Sequence, residues 1–220
     1  MSNKNFRVSV ALAACLYLAG AAQAAITVYN TEASFLAAVS AAGTDSFDDL
    51  DYTTTVNDPL ARTAGAHSYT AEAGPTSNFF PASDNGMDVY LATNNRTDTI
   101  TASGFSAGVS AVGGFFFGTD VNGLLTTATE LTVSATDAGG ITTVPLLNPG
   151  AATFRGFVST GGLTSLRLWV GAVQGSGELG VFPALNNLTL AVAVPEPQTW
   201  ALMLGGLALL GWAARRRQPG

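Results

Sequence analysis

The sequence predicts an all-β protein, a jelly-roll-like β-sandwich with one short N-terminal helix. Apolar and polar residues alternate over short runs of strand length, without long helices between them. Clusters of Asp, Asn and Gly separate these runs and favour turns. Charged residues make up only 11% of the chain, which also holds 25 glycines. We expect residues 25–193 to form the sandwich, between a cleavable signal peptide at 1–24 and a C-terminal segment at 194–220 that contains a transmembrane helix.

The N-terminal residues have the three parts of a signal peptide. Lys4 and Arg7 precede the apolar run 8–20, and Ala22 and Ala24 then supply the small-x-small pattern that signal peptidase accepts. The run is too short to span a bilayer comfortably. The sequence therefore predicts export and cleavage after Ala24.

Cys15 leaves an alternative open, because Leu12-Ala13-Ala14-Cys15 resembles the lipobox of bacterial lipoproteins. The apolar stretch before this cysteine is short for a signal peptide, and the residues after it are still apolar rather than a polar tether. Cleavage after Ala24 is the favoured prediction. It leaves a mature chain without cysteine, which must fold without a disulfide.

The first elements of the mature chain are predicted to be a strand and a helix. Residues 26–30 alternate as a strand does. Thr31 can cap a helix and Gly43 can end it. The apolar face of this helix would carry Phe35, Leu36 and Val39.

The rest of the domain reads almost wholly as strands. They are predicted at 87–93, 97–105, 109–118, 129–136, 141–146, 151–159, 163–170 and 186–194. Turn signals lie at 84–86, 120–123, 137–140 and 148–150. Residues 51–80 are less regular and are predicted to be long loops with one or two strands.

The charge of the domain excludes one class of partner. Residues 25–194 contain four arginines, no lysine and 14 carboxylates. Such a surface repels nucleic acid and attracts cations. We therefore expect no nucleic-acid binding.

Motifs of catalysis are absent from the sequence. His67 is the one histidine of the chain, and no HExxH, CxxC or GxSxG spacing occurs. The prediction is a protein that is not an enzyme. A pair of carboxylates with glycosidase geometry is the alternative that 14 acids leave open.

Calcium is the one cofactor that the sequence suggests. Asp48, Asp49 and Asp120 lie in or next to turn-rich segments, and calcium prefers carboxylate, amide and carbonyl oxygens. The competing interpretation is that these aspartates are solvated turn and edge residues.

Aromatic residues suggest a second kind of ligand, because flat apolar rings can stack on sugars. Candidates are Trp169, Tyr52, Tyr69 and Tyr90. The three phenylalanines at 115–117 must divide between both faces of their strand, so at least one is expected to point away from the core.

The C-terminal residues predict a membrane helix. Residues 199–214 are 16 uncharged positions, about 24 Å of helix, with Trp200 and Trp212 near the ends. Arg215, Arg216 and Arg217 follow and would stay on the cytoplasmic side. A buried core helix is disfavoured by the flanking prolines and arginines.

The C-terminal segment contains Val194-Pro195-Glu196-Pro197, the apolar helix and the three arginines, which follow one another in that order. On these features the segment resembles a PEP-CTERM sorting signal. The resemblance implies that exosortase, a membrane protease-transpeptidase of Gram-negative bacteria that make extracellular polysaccharide, recognises Pro195, Glu196 and Pro197. The helix and the arginines would retain the precursor in the inner membrane. The domain more loosely resembles the bodies of such proteins, in segments 46–50, 111–120, 153–159 and 163–169. Many of those bodies have Asp-Asn where this chain has Asn186-Asn187.

These observations lead to two functional hypotheses. The first is an exported, non-enzymatic surface or extracellular-matrix protein, sorted by exosortase and associated with extracellular polysaccharide or biofilm. The alternative is a carbohydrate-binding β-sandwich with a structural calcium site. Signal peptidase and exosortase are the partners expected during export.

Overall fold

Two β-sheets and one short helix make up most of what the computed structural model describes, namely residues 24–76, 78–171, 180–194 and 205–208. The helix α1 spans Glu32–Ala37. The strands are β1 (Ile26–Tyr29), β2 (Val39–Asp45), β3 (Val56–Asn57), β4 (Leu60–Ala64), β5 (His67–Gly74), β6 (Asn78–Ala82), β7 (Tyr90–Thr93), β8 (Thr99–Ser103), β9 (Ala111–Thr119), β10 (Leu125–Thr126), β11 (Glu130–Asp137), β12 (Gly140–Leu147), β13 (Phe154–Ser159), β14 (Leu163–Val170) and β15 (Phe182–Ala193).

The described strands form a large sheet and a small sheet. The large sheet has the order β1-β13-β9-β15-β7-β6-β3, with β10 added beside β9 and β2 beside β15. The small sheet has the order β12-β11-β14-β8-β5-β4. The predicted all-β, two-layer architecture is confirmed, while its jelly-roll character stays a prediction.

The main core lies between the two sheets. Phe116 and Phe157 of the large sheet and Leu131 and Leu166 of the small sheet belong to one cluster and are at most 2% exposed. Burying one such side chain contributes about 1.5–3 kcal/mol. A core of this kind replaces the disulfides that small exported domains often use.

The helix is shorter than the sequence predicts. Thr31 is its N-cap as expected, and its Oγ1 accepts a hydrogen bond from the Ser34 N–H at 3.2 Å. The helix nevertheless ends at Ala37, and the residues predicted to continue it form β2 instead. Pairing with β15 satisfies the backbone of β2, so tertiary contact overrides local helix preference. Leu36 is 43% exposed, whereas Phe35 is buried.

The prediction of one or two strands in residues 51–80 is wrong, because four strands or parts of strands lie there. In β5 alternate residues are buried, but two of them are Ala71 and Ala73. Such small inward side chains give little hydrophobic contrast along the sequence. The pattern was therefore too weak to predict this strand.

A buried ionic cluster joins the two sheets. Asp45, at the end of β2 in the large sheet, accepts hydrogen bonds from Arg62 Nε (2.9 Å) and Nη2 (2.6 Å) of the small sheet. The Tyr69 hydroxyl, also of the small sheet, donates to Asp45 Oδ2 at 2.6 Å. Burial and the Asp45 charge raise the pKa of Tyr69. The cluster therefore links β2 of the large sheet to β4 and β5 of the small sheet.

Asp49 completes this cluster from outside. It accepts hydrogen bonds from Arg62 Nη1 at 2.8 Å and Nη2 at 2.7 Å, which hold the pKa of the carboxyl below its ordinary value. The Asp49 side chain is 68% exposed, whereas that of Asp45 is 4% exposed. The two carboxylates therefore share one partner in very different solvent environments.

We expect Asp45→Asn to lower the free energy of unfolding by about 3 kcal/mol, because it leaves the Arg62 charge buried without its inner partner. Asp49→Asn is the matched control and should lower it by less than about 1 kcal/mol, since water screens the outer pair. Urea unfolding of both variants measures the difference. If both variants lost the same unfolding free energy, the buried Asp45–Arg62 pair would not stabilise the fold more than the exposed Asp49–Arg62 pair.

Candidate functional site

A cleft of about 300 Å³ opens on the outer face of the large sheet, away from the small sheet. It combines an aromatic floor with carboxylates and amides at its edge. Its lining residues are Asp84, Asn85, Asp88, Tyr90, Phe115, Phe117, Leu125, Ala151, Asn186 and Asn187.

Strand alternation in β9 provides the floor. Phe116 points into the main core, so its neighbours Phe115 and Phe117 point to the outer face. The predicted division of the three phenylalanines is thereby confirmed. The Tyr90 ring meets that of Phe117 edge to face, with centroids 5.0 Å apart. Edge-to-face pairs are favourable and fix both rings.

A bulge in β15 forms one wall. The pairing of β15 with β9 shifts register between Asn186 and Thr189. Asn187 adopts a φ of 50°, which asparagine tolerates better than most residues. The Asn186 Oδ1 accepts the Asn187 N–H at 2.7 Å and stabilises this bend.

The loop between β6 and β7 forms the acidic edge. Asn85 Oδ1 accepts the N–H groups of Met87 (2.8 Å) and Asp88 (2.9 Å), a compact turn. Asp88 Oδ1 then accepts a hydrogen bond from Asn186 Nδ2 at 2.9 Å. The loop is thus attached to the bulge of β15.

Asp84 attaches the same loop to two other elements. Its Oδ1 accepts the Tyr90 hydroxyl and the Leu125 N–H, both at 3.1 Å. Burial, followed by the Asp84 charge, raises the pKa of Tyr90 above its ordinary value of 10.0. The phenol therefore remains a hydrogen-bond donor at neutral pH, and its one proton is shared between the Gly123 carbonyl, at 2.5 Å, and Asp84.

The cleft offers acceptors above an apolar floor. The Oδ2 atoms of Asp84 and Asp88 accept no hydrogen bond from any described residue. The side-chain amide of Asn187 likewise has no hydrogen-bond partner among the described residues. A ligand with several hydroxyl donors and an apolar face would complement this arrangement.

Comparison with known proteins identifies a different feature, at the end of the sandwich. Residues 193–217 match the family model of the PEP-CTERM protein-sorting motif. The chain carries a PEP-CTERM motif. No curated protein matches the chain.

The PEP-CTERM motif begins where the sandwich ends. β15 stops at Ala193, and the Val194 N–H donates to the Ala38 carbonyl at 3.0 Å. Residues 205–208 are helical and exposed. The other motif residues singled out by the sequence lie outside the described ranges; they are Pro195, Glu196, Pro197, Trp200, Trp212, Arg215, Arg216 and Arg217.

The predicted membrane helix at 199–214 is described only at 205–208. Among the residues that the structure describes, no helix combines the length and apolar character needed to cross a bilayer. The helix of the PEP-CTERM signal stays a prediction.

The N-terminal end of the described chain is also joined to the sandwich. The Ala25 N–H donates to Thr160 Oγ1 and the Thr160 N–H donates to the Ala25 carbonyl, each at 3.1 Å. Ala22 and the preceding residues lie outside the described ranges, whereas Ala24 is described. Cleavage after Ala24 stays a prediction, and such a cut would leave β1 intact.

The three aspartates of the calcium hypothesis are not gathered into one site. Asp48 accepts the Val89 N–H at 2.9 Å, and Asp49 binds Arg62. Asp120 Oδ1 accepts the N–H groups of its own turn at 2.8 and 2.9 Å. In the described ranges, no three His, Cys, Asp or Glu side chains lie together so as to hold a metal.

Other singled-out residues have structural surroundings. His67 is buried, and its Nε2 lies 2.8 Å from the Ala41 carbonyl, to which it donates. Tyr69 is buried at Asp45, and half-buried Trp169 lies beside the exposed Arg167 guanidinium at 5.8 Å. Only Tyr90 of the aromatic candidates lines the cleft.

The pKa of Tyr90 predicts a pH effect. Below pH 10 the phenol is protonated in the folded and the unfolded chain; above pH 10 the unfolded chain loses the proton first, so stability falls. Between pH 8 and pH 11, the titration of Tyr90 lowers the free energy of unfolding by up to about 1.4 kcal/mol. The Tyr90→Phe variant should lack this contribution. Urea unfolding at both pH values measures it. Equal alkaline losses in both proteins would contradict the prediction.

Proposed function

We propose that this is an exported protein, sorted by exosortase, that acts without catalysis at the cell surface or in the extracellular matrix of a Gram-negative bacterium. The observation that supports the proposal most directly is the PEP-CTERM motif at residues 193–217, adjacent to the last strand of the sandwich. The motif itself accounts for export and for processing by exosortase.

The route has two processing steps in this proposal. Signal peptidase removes residues 1–24 as the chain leaves the cytoplasm. The C-terminal helix with Trp200 and Trp212 then stays in the inner membrane, and Arg215, Arg216 and Arg217 remain on the cytoplasmic side. Exosortase recognises Pro195, Glu196 and Pro197 and separates the sandwich from this anchor.

The sandwich is proposed to associate with extracellular polysaccharide and to contribute to biofilm cohesion. Its excess of carboxylates opposes binding to nucleic acid and to anionic lipid surfaces. A more specific second candidate is a carbohydrate-binding module. The cleft favours it, because aromatic rings and unpaired carboxylate oxygens lie together on the outer face.

Replacing Pro195, Glu196 and Pro197 together by alanine should leave unprocessed precursor in the inner membrane, because exosortase loses its recognition sequence. Immunoblots of membrane and released fractions measure precursor and mature protein. The matched control changes Gln198 and Thr199 to alanine, next to the three residues, and should mature normally.

Normal maturation of the triple variant would exclude the proposed role of these residues. Intact mass of the released wild-type protein gives an independent readout. The proposal expects a mass that lacks both the signal peptide and the C-terminal helix. A released protein that still contains residues 199–214 would contradict processing by exosortase.

A further inference from the structure

We propose that the cleft on the outer face of the large sheet binds one neutral pyranose residue of an extracellular polysaccharide by direct contact. The inference rests on the proposed function and deepens it, since it names the binding site and the class of sugar. Its support comes from the floor, the acidic edge, the charge of the domain and the position of the cleft.

The aromatic floor suits the C–H face of a sugar ring. Phe115 is half-buried and is the most accessible of the three rings at the cleft. Its edge contact with Phe154, at 5.4 Å and 71°, fixes its orientation from the side. The negative π face attracts the weakly positive C–H groups of a pyranose. Because the rings are already held in place, binding requires little ordering of side chains.

The acidic edge suits the hydroxyl groups of the same sugar. Asp84 and Asp88 each use Oδ1 to hold neighbouring protein groups and leave Oδ2 without a donor from the described residues. Hydroxyl groups can donate to these oxygens in charge-assisted hydrogen bonds. The Asn187 amide offers both a donor and an acceptor beside them. The two carboxylates and the Asn187 amide thus orient a sugar ring that stacks on Phe115.

The charge of the site decides between sugar classes. Two carboxylates lie at the cleft, in a domain with 14 carboxylates and four arginines. A uronic acid or a phosphorylated sugar would place a further anion next to Asp84 and Asp88, which is unfavourable. No lysine or arginine of the described chain lines the cleft to neutralise such an anion. Anionic pyranoses are therefore disfavoured, and neutral pyranoses are the class proposed.

Size and position agree with a site for polymer chains. A volume of about 300 Å³ lies at the lower end of the range for small-molecule sites, which suits one sugar ring. The cleft is open, so the neighbouring residues of a polymer can extend into solvent. Val194 follows Asn187 by seven positions, about 23 Å of extended strand. The cleft therefore lies away from the C-terminal end of the sandwich, which is the attached end in the proposed precursor.

Titration calorimetry of the purified exported protein tests the inference, with EDTA present to remove bound metals. The probes are oligosaccharides of glucose, galactose, mannose and xylose, a uronic-acid oligosaccharide and a glucosamine oligosaccharide. We expect binding of at least one neutral series. Phe115→Ala and Asp88→Asn should each weaken it by about tenfold or more. Asp88→Asn keeps an acceptor for Asn186 and so tests the edge without removing the loop attachment.

Trp169→Ala is the matched control, because Trp169 is another half-buried aromatic residue, on the small sheet and outside the cleft. It should leave affinity unchanged. Thermal unfolding of each variant verifies that it is folded. The inference is overturned if no neutral sugar binds, if the uronic-acid or glucosamine probe binds best, or if Trp169→Ala weakens binding while Phe115→Ala and Asp88→Asn do not.

Co-sedimentation with extracellular polysaccharide separates this inference from the proposed function. If the wild-type protein and the Phe115→Ala and Asp88→Asn variants all co-sediment equally, the association stands and the cleft is not its site. If the wild-type protein does not co-sediment with any polysaccharide, the proposed association fails as well. Sorting by exosortase is tested independently by the motif variants.

Discussion

The position of β15 between its neighbours is the constraint on which the rest of the structure depends. One edge of this strand pairs with β9, and the other pairs first with β7 and then with β2. The change of partner takes place at Asn186–Asn187, where the backbone bulges. A single strand therefore fixes the register of three others. It also carries a wall of the cleft at its middle and the start of the sorting motif at its end.

The outer face of β9 and β15 explains why a cleft exists. On one half of this face, Phe35 of α1 and Phe154 cover Ala111 and Ala191. On the other half the cover is the loop between β6 and β7, attached through Asp84 and Asp88, which leaves Phe115 accessible. The same strands are thus buried on both faces over most of their length. The cleft is the gap between a helical cover and a loop cover.

Local sequence predicted those parts of the molecule that depend on local signals. Strands β11 and β14 alternate apolar and polar side chains, β9 carries a run of three phenylalanines, and the sorting motif is a linear pattern. The strand β2 and the cleft depend instead on distant partners: β2 forms on the edge of β15, and Asp88 meets Asn186 from 98 positions away. The paired asparagines are visible in the sequence, but their bulge is defined only by the pairing with β9 and β2. The local signals of the cleft were the turn at Asn85, the outward phenylalanine expected among residues 115–117, and Tyr90.

The charge of the sandwich and the predicted membrane helix with its arginines favour the same orientation of the precursor relative to the membrane. In the proposed precursor, anionic lipids would repel the carboxylates of the sandwich, whereas Arg215, Arg216 and Arg217 would be attracted to the cytoplasmic leaflet. Five residues, 194–198, separate the end of β15 from the membrane helix predicted at 199–214. In a precursor held by that predicted helix, the C-terminal end of the sandwich would lie nearest the bilayer, and anionic lipids would repel the rest of its acidic surface. The wall of the cleft at Asn187 lies about 23 Å of extended strand from Val194, and so lies away from the C-terminal end of the sandwich.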